Sequence, residues 1–246
     1  MSHLKDILRK ASPATVPAMG FRPAAPTKPR MVLIAAINEA LSEMNTQIQG
    51  ADAIIISTDI KPRGLKTLTK TLSVPWGIWI ITTAQENAAA DFVIFEPEKA
   101  GLNLISNENL GKIIAIEPLC DNNILHGISE LPADAVILKR APQDDLTWLD
   151  LLQCRRLATI TTKPLLVPVA SDTPPTHLKA LWEAGVDGLV VVATAGCTLL
   201  DLRKKMDTLD LSGRRKGLRA RPLVPLMASA PSPAHCDEDD EGEEEE

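Results

Sequence analysis

Charged residues that directly follow apolar runs are the first candidates for chemistry in this chain. Glu96, Glu117 and Lys139 each stand at the end of such a run. A lysine close to carboxylates can act as a Schiff-base nucleophile or, when protonated, as a proton donor, with either glutamate as general acid or base. The alternative is a buried ion pair that fills the top of the fold and takes no part in chemistry.

Further polar residues follow the other apolar runs, and we predict that they bind the substrate. No cysteine or histidine pair has metal-ligand spacing, so no metal site is predicted. Patterns such as HExxH, GxSxG and the Walker loop do not occur in the sequence. The predicted substrate-binding residues are Ser57, Asp59, Lys61, Thr82, Arg140, Ser171, Asp172, Thr194 and Gly196.

These residues are positioned by eight short apolar runs that fit buried parallel strands. Continuous apolar character is what strands covered on both faces require. Four runs are entered through one repeated pattern, a small residue and then Ala or Val before an aspartate, which ends at Asp52, Asp91, Asp134 and Asp187. The runs span residues 31–37, 53–57, 77–81, 92–96, 113–117, 135–139, 164–170 and 188–193.

The segments between the runs are mostly helix-like. Residues 38–49 and 198–209 show helical spacing, and Pro174 and Pro175 suit the first turn of a helix that ends near Ala184. A further helix is predicted over 145–158, with Asp144 or Asp145 as N-cap and an apolar face of Leu146, Leu149, Leu152 and Leu157.

Strands that alternate with helices indicate an α/β fold, and eight units favour a closed (β/α)₈ barrel. An open doubly wound sheet is the alternative, but it normally has a glycine-rich turn after its first strand, and none follows residue 37 here. We predict an N-terminal helix and proline-rich connector over residues 1–30, the barrel over 31–209, and a disordered tail over 210–246. The first helix, with Leu4, Ile7 and Leu8, is suited to cover the bottom of the barrel.

The repeated aspartates also set a register. Five residues beyond them stand Ser57, Glu96, Lys139 and Val192. Side chains inside a barrel form layers of four, contributed by alternate strands, so these four are expected to share one layer. A glutamate and a lysine that faced the helix layer would be unfavourable, so the layer is expected to point inward, with Glu117 nearby.

Composition narrows the environment and the partners. The chain has 246 residues and a net charge of −6, but nine acids lie within its last ten residues, and without them the charge is about +3. A dense acidic run is typical of a disordered segment, and we expect it to serve as a contact for a protein partner. Tyrosine is absent and aromatic content is 3%, which disfavours nucleic-acid binding by base stacking. With no apolar run long enough to span a membrane and no signal sequence, we expect a cytoplasmic protein, with a homo-oligomer as one option.

The stretches Lys163–Pro174 and Leu181–Thr194 resemble the seventh and eighth strands of the aldolase-type TIM barrels, in particular their phosphate- and flavin-binding branch. In that branch glycines after these strands hold the phosphate. Here Ser171 and Asp172 occupy the first glycine pair, and Thr194 stands near the second, with Gly196 just beyond. Because Asp172 would repel a phosphate, a conventional phosphate or flavin site is disfavoured.

The leading hypothesis is therefore an aldolase-type enzyme, of lyase or isomerase type. It would act on a small oxygen-rich, optionally phosphorylated metabolite by proton transfer or carbon–carbon cleavage at the barrel mouth. Lys139 is the expected cation or nucleophile, and Glu96 and Glu117 are the expected acid and base. Two alternatives stay open: a non-catalytic barrel that binds partners through its charged tail, and an FMN-dependent oxidoreductase. The sequence requires no cofactor.

Overall fold

The computed structural model describes residues 3–11, 30–37, 48–56, 74–80, 90–142, 145–193 and 199–211. Residues 38–47 of the helix predicted at 38–49 and residues 212–246 of the predicted disordered tail lie outside these ranges, as does most of the proline-rich connector. All eight predicted strands fall inside them, apart from residues 57 and 81 at the ends of the second and third.

Eight parallel strands close into a barrel in which each strand pairs with the next and β8 pairs with β1. The predicted (β/α)₈ fold is confirmed, and the predicted runs match the strands to within two residues at each end. The strands are β1 (Val32–Ile37), β2 (Ala53–Ile56), β3 (Trp76–Ile80), β4 (Phe92–Phe95), β5 (Gly111–Ile116), β6 (Ala135–Leu138), β7 (Leu165–Pro168) and β8 (Gly188–Val192).

Helices follow several of these strands and pack on the outside of the barrel. The helix that follows β7 begins at Pro175, as predicted. It ends just before Gly185, which takes the left-handed conformation with φ of 104°. Among the described residues the helices are α1 (His3–Ala11), a 3₁₀ helix (Leu102–Ser106), α2 (Asn122–Glu130), α3 (Trp148–Ile160), α4 (Pro175–Ala184) and α5 (Leu199–Thr208).

Helix α3 begins later than the sequence indicated. Its N-cap is Thr147, and the prediction of Asp144 or Asp145 is wrong. The Thr147 hydroxyl accepts a hydrogen bond from the Asp150 amide at 3.2 Å, and the Thr147 amide donates to the Asp150 carboxylate at 2.9 Å. This reciprocal capping box satisfies two amides at once, which a single aspartate cap would not.

The predicted apolar face of α3 is also wrong in part. Leu149 and Leu152 are 61% and 65% exposed, whereas Cys154, Leu157 and Ala158 are buried. Leucines stand on two sides of this helix, so periodicity alone does not select the inner one. The side that packs inward carries Cys154, Leu157 and Ala158.

Side chains alternate between the inside of the barrel and the helix layer, as the two-residue period of a strand requires. The inward set forms one buried cluster, separate from the cluster between strands and helices. Gly77 is part of this packing, because a Cβ at that position would lie 2.3 Å from the Phe92 ring. The buried strand residues of the inner cluster are Val32, Ile34, Ala53, Ile55, Phe92, Ile94, Ile113, Ala115, Ala135, Ile137, Leu166 and Val190.

Helix α1 closes the N-terminal end of the barrel. Leu4 and Leu8 are buried within the inner cluster, and Ile7 packs against it. The Lys5 ammonium lies 3.2 Å from the carboxylate of Asp134, the residue that precedes β6. The helix is therefore where the sequence suggested, beneath the barrel with its apolar face inward.

The four repeated aspartates join neighbouring strands at this same end. Each donates its backbone N–H to a carbonyl of the preceding strand segment, and its carboxylate accepts the N–H of that same residue. Hydrogen bonds to a charged acceptor stabilise a fold by about 1.5–3 kcal/mol each. The repeat thus has a structural role, which is to hold neighbouring strands together. The residues that bond to these aspartates are Leu33 for Asp52, Trp76 for Asp91, Lys112 for Asp134 and Leu165 for Asp187.

Candidate active site at the C-terminal barrel mouth

Glu96, Glu117 and Lys139 lie together at the opposite end of the barrel. Each is the first residue after its strand, β4, β5 or β6 respectively. Each continues the inward alternation of its strand, as Ile94, Ala115 and Ile137 belong to the inner cluster. The strands therefore aim all three side chains at the barrel mouth.

Lys139 is the centre of this group. Its Nζ lies 3.3 Å from Oε2 of Glu96 and 3.3 Å from Oε1 of Glu117. Lys99, one turn after Glu96, places its own Nζ 3.0 Å from the same Glu96 oxygen. The side chains of Glu96 and Lys139 are 18% and 31% exposed, whereas that of Glu117 is 75% exposed. Glu117 is therefore the carboxylate with room to move.

The surroundings keep Lys139 charged. Partial burial opposes the ammonium form, but the hydrogen bonds and charges of Glu96 and Glu117 outweigh it and raise the pKa of Lys139 above its ordinary value. A Schiff-base nucleophile needs a neutral amine, which this environment disfavours. The geometry thus favours the cationic role of Lys139 over the nucleophilic one.

Glu96 is held in its ionised form. The hydrogen bond from Lys99 has the largest effect on its pKa, burial acts in the opposite sense, and the hydrogen bond and charge of Lys139 add to the first. Together they lower the pKa of Glu96 below its ordinary value. Glu96 is accordingly a carboxylate at neutral pH, and the same contacts make it a weaker base than an ordinary glutamate.

A cavity of about 240 Å³ opens beside Lys139. Its described lining comes from both sides of the barrel and includes Val192, the predicted layer-mate of Lys139 and Glu96. Ser57, the fourth predicted member of that layer, lies outside the described residues. The described lining residues are Ala36, Ile55, Trp79, Ile137, Leu138, Lys139, Arg140, Pro142, Pro168, Val190 and Val192.

Arg140 lines the cavity but is held by protein groups. Its Nη1 donates to the carbonyl of Pro168 at 3.0 Å and its Nη2 donates to the carbonyl of Asp145 at 3.2 Å. The side chain is buried, and its Nε lies 3.6 Å from the Asp150 carboxylate. Arg140 therefore ties the loop after β6 to the end of β7, so it contributes a wall more readily than a free cation.

The remaining predicted residues divide into two groups. Ser171 and Asp172 lie in the turn after β7, half-buried and exposed respectively, and neither lines the cavity. The structure does not bring them to Lys139. The predicted residues that lie outside the described ranges are Ser57, Asp59, Lys61, Thr82, Thr194 and Gly196.

Sequence reasoning missed two parts of this site. Lys99 was not considered, although its position three residues after Glu96 permits contact across one turn. The apolar walls were also missed, although Trp79 and Val190 occupy inward positions that the alternation of β3 and β8 identifies. Polar residues directly after the strands do not reveal Lys99 or the apolar walls.

Within the described ranges, no group of His, Cys, Asp and Glu side chains is arranged to hold a metal ion. Over the same ranges, none of the helices has the length and apolar character that crossing a membrane requires.

Comparisons with known proteins agree with this architecture. Neither a protein-family model nor a curated protein matches the sequence. Thiamine phosphate pyrophosphorylase from Pyrococcus furiosus is similar in structure, with a TM-score of 0.54 and 17% identity over 74% of this chain and 98% of that chain. A mutant tryptophan synthase alpha-subunit from Pyrococcus furiosus is similar with a TM-score of 0.53 and 14% identity, over 72% and 96% of the two chains.

The tryptophan synthase complex from the same organism has equal coverage, identity and TM-score. At these identities the likeness concerns the fold and does not extend to substrates. The closed eight-stranded parallel barrel and these structural neighbours together identify the fold of this chain as a (β/α)₈ TIM barrel.

Proposed function

We propose that this barrel is an enzyme that moves protons next to a carbonyl group of a small metabolite, with Lys139 as the cation that stabilises the developing oxyanion. One observation supports this most: the Lys139 ammonium lines the cavity while it lies 3.3 Å from each of two carboxylates. A cation in the wall of a cavity and a carboxylate in contact with that cation are the minimum for enolate chemistry. Likeness in fold to known enzymes adds support by analogy.

The steps balance with the groups present. Glu96 or Glu117 removes a proton from the carbon beside the carbonyl, and the C–H electron pair becomes the C=C bond of an enolate. The carbonyl pair moves to oxygen, where the Lys139 ammonium stabilises the negative charge. The protonated glutamate then returns its proton to carbon, either the same carbon or a neighbouring one.

Carbon–carbon cleavage uses the same groups. A glutamate removes the proton of a hydroxyl one carbon further from the carbonyl, and the C–C bond breaks to leave an aldehyde or ketone and an enolate. The enolate oxygen rests against Lys139, and the protonated glutamate delivers its proton to the enolate carbon. Both reactions share an intermediate, so one assay addresses both.

The test is deuterium uptake in D₂O, followed by proton NMR, on a panel of short oxo acids, hydroxyketones and sugar phosphates. We expect full-length protein to exchange the proton beside the carbonyl of at least one compound. Lys139→Met should lower that rate by at least 100-fold, and Glu96→Gln or Glu117→Gln by 100- to 10,000-fold for whichever is the base.

The matched control is Lys204→Met. Lys204 also forms an ion pair, with Asp201 at 3.4 Å, but on the exposed surface of α5. Its loss should leave exchange unchanged. If no compound exchanges, or if Lys139→Met exchanges at the full rate, the group at the mouth is a structural ion pair. The non-catalytic barrel that binds partners through its charged tail would then be the better hypothesis.

A further inference from the structure

We infer that the ligand of this cavity has an apolar body of a few carbons with a single polar end, instead of being rich in oxygen or phosphorylated. For the polar, reacting end of the ligand, the inference rests on the proposed function. The body of the ligand follows from the cavity walls, which are a separate observation.

The other described walls of the cavity carry mostly hydrocarbon side chains. Ile55, Trp79, Ile137, Val190 and Val192 line the cavity from β2, β3, β6 and β8. A hydroxyl placed against these side chains would lose its hydrogen bonds to water without replacement, whereas a methyl group gains from burial. The walls therefore select against a polyhydroxylated body.

Among the described lining residues, the charged groups lie on one side. Of the two charged residues in this described lining, Arg140 is engaged by the Pro168 carbonyl and Asp150, which leaves the Lys139 group as its polar end. That group pairs Lys99 and Lys139 with two glutamates, so its formal charge is zero. A neutral group suits a carbonyl or a single carboxylate better than a doubly charged phosphate, which the glutamates would repel.

The space between the described walls limits the part of the ligand that lies inside the cavity. At roughly 30 Å³ for each water-sized group, about 240 Å³ holds about eight non-hydrogen atoms. A polar end of three or four atoms leaves room for about four carbons. Short branched-chain 2-oxo acids have this shape and also carry the carbonyl that the proposed chemistry needs.

Calorimetric titration of the full-length protein tests the inference without any turnover. The probes are pyruvate, 2-oxobutanoate, 3-methyl-2-oxobutanoate and 4-methyl-2-oxopentanoate, with 3-hydroxypyruvate and dihydroxyacetone phosphate as oxygen-rich comparisons. We expect affinity to rise about fourfold for each added carbon until the cavity is full. The oxygen-rich compounds should bind more weakly than the branched acids. A flat series, tighter binding of the oxygen-rich compounds, or no binding by any probe overturns the inference.

Two variants of one wall residue sharpen the test. Val192→Ile reduces the cavity by one methylene, so it should weaken 4-methyl-2-oxopentanoate at least fourfold relative to pyruvate. Val192→Thr keeps the shape but adds a hydroxyl, so it should weaken every branched acid severalfold. Leu152→Gln, which makes an exposed side chain on α3 polar, is the control and should change neither. A length preference that Val192→Ile does not shift places the ligand elsewhere and overturns the inference.

Failure of this inference is distinguishable from failure of the proposed function. Binding that rises with chain length but is accompanied by no deuterium exchange supports the apolar cavity and removes the enzyme. Exchange on an oxygen-rich compound, with no binding of the branched acids, supports the enzyme and overturns the apolar ligand.

Discussion

The two ends of this barrel use carboxylates in opposite ways. At the N-terminal end the repeated aspartates accept hydrogen bonds from backbone amides, and α1 covers the barrel interior. At the C-terminal end Glu96 and Glu117 meet lysine side chains beside a cavity. A backbone amide is fixed by the sheet, whereas a lysine side chain can exchange one partner for another.

This difference separates structural charge from charge available to a ligand. Asp187 has no exposed surface and receives the Leu165 amide at 2.9 Å, so its carboxylate is part of the joint between β7 and β8. Glu117 is 75% exposed and contacts the end of a flexible lysine. Mutations at the two ends should consequently affect different properties: stability at the N-terminal end, and binding and turnover at the mouth.

The largest effect is expected for Asp187→Ala. It removes the acceptor of a buried amide, so the free energy of unfolding should fall by about 2–4 kcal/mol. Urea denaturation measures the change. Asp187→Asn retains one oxygen acceptor and should lose less, while Glu117→Ala should lose under about 0.5 kcal/mol. Equal losses at Asp187 and Glu117 would contradict the division between the two ends.

Lys139→Met should lower activity strongly and stability little, the reverse of what is expected for Asp187→Ala. We expect at least a 100-fold loss of deuterium exchange, about 2.7 kcal/mol in the barrier, with a change in unfolding free energy below about 1 kcal/mol. The measurement combines the NMR exchange assay with urea denaturation of the same preparation. A variant that loses deuterium exchange and also loses as much unfolding free energy as Asp187→Ala would show that the mouth is as structural as the opposite end.

The ion pair at the mouth should also give a defined pH dependence. Because the pKa of Glu96 is lowered, its contribution to stability is present above the ordinary value of 4.5 and is lost as pH falls through the lower folded value. Because the pKa of Lys139 is raised, its contribution is present below 10.5 and is lost as pH rises through the higher folded value.

The measurement compares the unfolding free energy of the full-length protein with that of the double variant Glu96→Gln, Lys139→Met from pH 3 to 8. The difference should be level above pH 5 and shrink below about pH 4.5, with a size under about 1 kcal/mol since both side chains are partly exposed. A difference that grows as the pH falls would have the wrong sign.

The smallest expected effect is on covalent trapping. Treatment with borohydride in the presence of 2-oxobutanoate should leave Lys139 unmodified at neutral pH, as its amine is kept protonated. Mass spectrometry of tryptic peptides measures the label on Lys139. The label found on surface lysines such as Lys204 in the same 2-oxobutanoate-treated sample sets the background. Selective labelling of Lys139 above that background would restore the Schiff-base mechanism.

Much of the fold could be predicted from the sequence because its signals are local. A strand buried on both faces needs a continuous apolar run, so β1 to β8 are visible as eight such runs. The face of α3 could not be predicted in the same way. Leu149 and Leu157 both suit an apolar face, and only packing against the barrel selects the side that carries Cys154 and Ala158.

Three polar members of the candidate site were predictable, whereas Lys99 and the apolar walls were not. Glu96, Glu117 and Lys139 each follow a strand, and parallel strands end at one edge of the barrel, so their proximity follows from topology. Whether a neighbouring side chain such as Arg140 serves the cavity or the scaffold depends on contacts across the fold. Its bond to the carbonyl of Pro168 is one such contact.

The sequence by itself determined the number of the strands and the inward direction of Glu96 and Lys139, with Glu117 nearby. Spacing along a strand has a two-residue period that no distant contact alters. Only the tertiary structure decided that the repeated aspartates bond to backbone amides, that Lys139 lies between two carboxylates, and that the cavity beside it is apolar. Those properties depend on distances between segments far apart in the chain, which closure of the barrel alone sets.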